Sequence, residues 1–141
     1  MTDSMHVIAW WGAGLSTVLG LAKLWELWRD RFQVDVSFNF TSSPEIGNEI
    51  LIRNLSTRKF ILAHWELLYC TGHWPTRRFT PLASREYDAG DVTIDPHSTY
   101  TLQFADFEHF DWGVDALGGR RIFIRLHIAG RRSILRLVYG P

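Results

Sequence analysis

Hydrophobic periodicity changes once along this chain, at Phe32, and that change divides it into two unlike parts. Before Phe32 apolar residues run together: Val7 to Ala22 is sixteen residues without a charge, and Lys23 is the first charge inside the wider apolar segment Val7–Trp28. After Phe32 apolar residues alternate with polar ones. In FQVDVSFNF, Val34, Val36, Phe38 and Phe40 are separated by Asp35, Ser37 and Asn39. Side chains on a strand point alternately to opposite faces, so this pattern predicts a half-buried strand. The expected organisation is a hydrophobic helix over 1–30 and a β-domain over 31–141.

Seven such segments follow one another. NEILIRN and KFILAHWELLYC read as strands, the latter with Ile61, Ala63, Trp65, Leu67 and Tyr69 on an apolar face and His64 and Glu66 opposite. A short edge strand fits Arg77–Thr80, a helical turn fits the stretch before Gly118 and Gly119, and RRIFIRLHI and SILRLVY flank AGRR as a hairpin. A two-residue turn at Gly130-Arg131 would pair Leu126 with Leu135 and Ile124 with Leu137 on a core face. It would place Arg125 opposite Arg136, with Phe123–Val138 and His127–Ile134 on the same side. Two facing arginines require an anion. That makes Arg121, Arg125, His127 and Arg136 a candidate anion or partner face, whose anion is a carboxylate of the acidic segment described next, a lipid phosphate or a partner's acid.

Charge supports the same division of labour. The formal net charge is zero, which removes the global electrostatic case for nucleic acid binding. Locally, Glu86 to Asp115 holds eight acids and no Lys or Arg, whereas Ala116 to the end holds six Arg and no acid. Two such segments in one small domain are expected to face each other. The single cysteine, Cys70, forms no intramolecular disulfide and suits a reducing compartment.

At 1.5 Å per residue, Val7–Trp28 as a helix is roughly 33 Å long, close to the hydrocarbon thickness of a bilayer. Trp10 and Trp11 lie near one end and Lys23, Trp25 and Trp28 near the other, as interface anchors do. Gly12, Ser16 and Gly20 form a small-residue ridge suited to helix–helix contact in lipid. A heptad-like row of Val7, Trp11, Gly14, Val18, Leu21, Trp25 and Trp28 fits instead a helix packed on a protein partner. The segment MTDSMH has Asp3 but no Lys or Arg, and no A-x-A site follows, unlike a cleaved signal. Lys23, Arg29 and Arg31 on the C-terminal flank place the β-domain in the cytoplasm and the N-terminus outside by the positive-inside rule.

The strand, Asn-containing turn and strand of EILIRNLSTRKFILAHW, followed by DPHSTYTLQF, resemble small bacterial immunoglobulin-like domains tethered by one N-terminal helix. That resemblance implies a mainly β fold, an antiparallel Ig-like β-sandwich of about seven strands. It implies no activity.

Motifs of catalysis are missing. There is no Gly-rich phosphate loop, no G-x-S-x-G, and no nucleophile with a recognisable base. Cys70 and His73 make half of a zinc pattern, while His64, His97, His109 and His127 are scattered. Asp106, Glu108, His109 and Asp111 form an acid-rich cluster, interleaved with Phe107 and Phe110 as a capping loop would be. The expected function is therefore a non-enzymatic, membrane-anchored interaction or assembly protein without a cofactor, in contact with lipid, a protein partner and copies of itself. The alternatives are a membrane-perturbing oligomer whose helices form a bundle or pore, and a soluble subunit whose helix packs on a partner.

Overall fold

A computed structural model describes residues 2–29, 32–86 and 88–140, and of these the side chains of 2–10, 13 and 29 lie outside the description. The chain divides into two compact units between Phe32 and Gln33, close to the change of period.

Unit 1 is one helix, α1 (Thr2–Arg29). It contains no proline, and Lys23 reaches Glu26 at 2.8 Å one turn on. Leu15, Val18, Leu19, Leu21, Leu24 and Leu27 are all exposed, and successive steps of 100° distribute them around the whole circumference. The expected span needs correction: among the described residues no helix is long and apolar enough to cross a membrane. Between Trp11 and Trp28 the glycines, hydroxyls and the Lys23–Glu26 pair dilute the apolar run, and Val7–Trp10 lie outside the described side chains.

Unit 2 is built from antiparallel strands. These are β1 (Val34–Asn39), β2 (Asn48–Asn54), β3 (Phe60–Thr71), β4 (Arg78–Ser84), β5 (Val92–Ile94), β6 (Thr99–Phe104), β7 (Arg121–Ile128) and β8 (Ile134–Tyr139). One sheet has the order β1-β2-β6; the other has β4-β3-β7-β8, with β5 also paired to β3. Ile50 and Ile52 of the first sheet and Leu62, Leu67, Ile122, Ile124 and Leu126 of the second are fully buried. Trp65 of β3 meets Phe104 of β6 edge to face at 5.4 Å, so the two layers share one core.

Eight strands are thus described where about seven were expected. The edge strand placed at Arg77–Thr80 extends to Ser84, and an irregularity between Leu67 and Leu68 accommodates Pro81 at the sheet edge. The stretch before Gly118 holds a 3-10 turn (Asp106–Glu108) and a short helix, α2 (Val114–Leu117). In β3 the inner row differs from the simple alternation. A register shift between Leu62 and His64 turns Leu62 inward and leaves Ile61 exposed, while Trp65 and Leu67 face the core as expected.

The final hairpin is offset by one residue from the expected pairing. Arg131 N–H donates to the Ile128 carbonyl at 3.0 Å, so Gly130, at φ 73°, occupies the third turn position. Pairing resumes at Leu126–Ile134, with Arg125 opposite Leu135, Ile124 opposite Arg136 and Phe123 opposite Leu137. The facing arginines vanish, because one step of register moves every side chain to the other face.

Two buried carboxamides hold the layers together at the two ends of β2. Asn54 is fully buried; its Nδ2 donates to the carbonyls of Arg58, Ile94 and Asp95 at 2.9, 3.2 and 2.9 Å. Its Oδ1 accepts the Ser56 N–H at 3.0 Å. At the other end Asn48 Nδ2 donates to the Phe110 carbonyl at 2.7 Å, while its Oδ1 accepts the Thr41 N–H at 3.1 Å. Beside it Gly47 has φ 81°, and a Cβ there would lie 2.7 Å from the Phe104 carbonyl oxygen, so no other residue fits.

Replacing Asn54 with Ala strands several buried polar groups at once, each loss being of order 1–3 kcal/mol. Asn54→Ala is expected to lower unfolding stability by roughly 3 kcal/mol, read from urea midpoints at unchanged slope.

Candidate functional site

The outer face of the larger sheet sets Glu66, Arg125, His64 and His127 side by side. His64 and Glu66 are two apart on β3, beyond the register shift, and so share a face. Antiparallel pairing sets Glu66 beside Arg125 and His64 beside His127 of β7. Arg125 Nη1 donates to Glu66 Oε2 at 3.0 Å. The other carboxylate oxygen, Oε1, lies 3.9 Å from His64 Nε2 and 3.8 Å from His127 Nε2. The two imidazole rings are 5.6 Å apart.

A cleft of about 490 Å³ opens on this cluster, lined by His64, Glu66, Arg125, Leu68, Phe79 and Pro81, with Ala83 and Ser84 of β4. Phe79 packs edge to face on Phe123 at 5.8 Å and closes one end. His127 Nε2 is buried without a hydrogen-bond partner, since 3.8 Å to Glu66 exceeds bonding distance. Chemically the cleft presents a carboxylate already paired to a guanidinium, the imidazole of His64 and an apolar wall.

The four residues expected to form one anion or partner face separate. Arg125 and His127 belong to the cleft face, and the anion beside Arg125 is Glu66 of β3 rather than a carboxylate of the 86–115 segment. Arg121 donates from Nη2 to the Gly72 carbonyl at 2.8 Å, at the end of the sheet where β3 leads into β4. Arg136 pairs with Ile124 in register and so falls on the opposite face. On α1, Gly12, Ser16 and Gly20 lie four residues apart on an exposed surface, and Trp11, Trp25 and Trp28 are exposed. Lys23 is paired with Glu26, and the Trp10 side chain lies outside the described residues.

The acid-rich loop has a structural task. His109 Nε2 lies 3.0 Å from the Thr41 carbonyl oxygen, and Trp112 Nε1 donates to the same oxygen at 3.1 Å, fastening the loop beneath β1. Cys70 is buried, and His73 Nδ1 lies 3.4 Å from Arg121 Nη2, so the two do not form a ligand pair. Among the described residues no group of three His, Cys, Asp or Glu could hold a metal ion. Sequence reasoning found His64 and Glu66 on one face but missed the β4 wall, because which strand lies beside β3 is not written in either strand.

No family model matches the chain, and no curated protein matches it. A crystal structure of a protein from Archaeoglobus fulgidus aligns with 77% of this chain and 95% of its own, at 20% identity and a TM-score of 0.32. That likeness is too slight to bear on function.

Glu66→Gln is expected to cost no more than about 1 kcal/mol of stability, since Glu66 and Arg125 are both about a third exposed. Glu66→Lys, which sets like charges beside Arg125, should lower the urea midpoint further than the neutral change, and the excess should shrink in high salt. Elsewhere on β3, burial raises the Tyr69 pKa above its ordinary 10.0, with Arg120 lowering it and Asp111 raising it to lesser degrees. A raised folded-state pKa contributes stability that is fully present below pH 10.0 and is lost as pH climbs through the folded value. Urea midpoints should therefore fall in that alkaline range, and Tyr69→Phe should remove this part of the fall.

Proposed function

We propose that the protein is a non-enzymatic, membrane-anchored interaction module, with α1 as the anchor and the β-domain as the part that meets a partner. The observation carrying this reading is the apolar circumference of α1, exposed on every side within its own unit. A helix apolar all round is stable only when enclosed, by lipid or by other helices. The described part of α1 falls short of a span by itself. In sequence, however, Val7, Ile8, Ala9 and Trp10 continue the apolar run upstream. Tryptophans at both ends and the neutralised Lys23–Glu26 pair favour lipid over a protein groove.

The orientation inferred from Lys23, Arg29 and Arg31 puts the β-domain on the cytoplasmic side. The strand orders β1-β2-β6 and β4-β3-β7-β8 support an immunoglobulin-like sandwich, whose sheet faces are common contact surfaces. On that reading the cleft around Glu66 and Arg125 is the contact face, and the Gly12, Ser16, Gly20 row is where copies of α1 meet in the bilayer.

Fractionation tests the anchor. The full chain should stay in the membrane pellet through a carbonate wash, and a chain lacking residues 1–30 should not. A full chain released by the wash would overturn the membrane reading and favour a helix packed on a soluble partner.

A further inference from the structure

The strand registers sort six loops of the β-domain into two ends that differ in charge, while the loop 85–91, with Glu86, Asp88 and Asp91, runs along the sheet edge level with Leu62–Glu66 and belongs to neither. Val34 pairs with Asn54, Arg53 with Thr99, Phe60 with Ile94 and Leu126 with Ile134. Asn54, bonded to the carbonyls of Arg58, Ile94 and Asp95, joins these strand ends across the two layers. Loops 55–59, 95–98 and 129–133 therefore share the end at which the chain enters from α1, the proximal end. Loops 40–47, 72–77 and 105–120 share the distal end, joined by Asn48 to Phe110 and by the Trp112–Tyr139 contact.

Charge divides along that axis. The proximal loops expose Arg58, Lys59, Arg131 and Arg132 against a single acid, Asp95. Leu55 is half exposed among them. The distal loops expose Glu45, Asp106, Glu108, Asp111 and Asp115, against Arg77 and the half-buried Arg120. The β-domain begins at Gln33 on this same end, where Val34 pairs with Asn54.

We infer that the proximal end is a docking surface for an anionic lipid headgroup layer, resting on the reading of α1 as a membrane anchor. The excess of basic over acidic side chains at this end is what fits it to such a layer. Phosphate-bearing lipid attracts clustered Lys and Arg at close range, and the acidic distal end is repelled from the same surface. Leu55 supplies one apolar contact at the headgroup boundary.

Hydrogen exchange of the full chain in vesicles tests this. In vesicles containing phosphatidylglycerol, amides of 55–59 and 129–133 should exchange about tenfold more slowly than in phosphatidylcholine vesicles, with loops 72–77 and 105–113 unchanged. High salt should remove the difference, as should the combined substitutions Arg58→Glu, Lys59→Glu and Arg132→Glu. Comparing lipids on the unaltered chain keeps the test independent of how that variant folds. Equal exchange in both vesicles, with the protein floating with both, would overturn lipid docking and leave the anchor standing. A chain that floats with neither would overturn the anchor and the docking together.

Discussion

The Asn54 carboxamide is the interaction on which the β-domain most depends. It sits at the end of β2, fully buried, and satisfies carbonyl groups of the 55–59 loop and of the end of β5 while accepting from Ser56. Without it those groups would be dehydrated and unpaired, which costs more than the bonds contribute when made. Asn48 does the same at the opposite end of β2, tying in Phe110 and Thr41. Apolar burial between the sheets is non-directional. The two amides supply direction: they determine which loops gather at which end.

The second organising element is β3, the longest strand, which pairs with β4, β5 and β7. Its register shift after Leu62 lets one strand bury Leu62 at its start and Trp65 and Leu67 further on. The same shift brings His64 and Glu66 beside His127 and Arg125 on the outer face. The cleft is therefore a product of a backbone irregularity as much as of side-chain chemistry.

Its charges are largely matched within the sheet. Glu66 has Arg125 as its close partner, and both histidines stay beyond hydrogen-bond distance from the carboxylate. Across the β-domain the end loops differ in charge, with the excess of basic side chains at the end where β1 begins. A domain so polarised has a preferred face toward any anionic surface.

The sequence by itself determined the division at Phe32, the helix before it and the mainly β character after it. Local periodicity decides these, and periodicity is local information. It also showed that His64 and Glu66 share a face, and that the acids and arginines are segregated along the chain. Only the tertiary structure decided the rest. The hairpin register depends on whether the connection holds an odd or an even number of residues: pairing Leu126 with Ile134 rather than Leu135 centres it on Gly130, a one-residue difference that the strand patterns on either side do not distinguish. Arg125 finds Glu66 because β3 and β7 are neighbours, a relation between segments 59 positions apart. The gathering of loops at the two ends likewise came only with buried Asn54 and Asn48, and it cuts across the charge blocks of the sequence: Asp95 of the acidic segment lies with the basic loops, and Arg120 of the arginine-rich segment lies with the acidic ones. Sharing an end is a property of the packed sheets and not of any one segment.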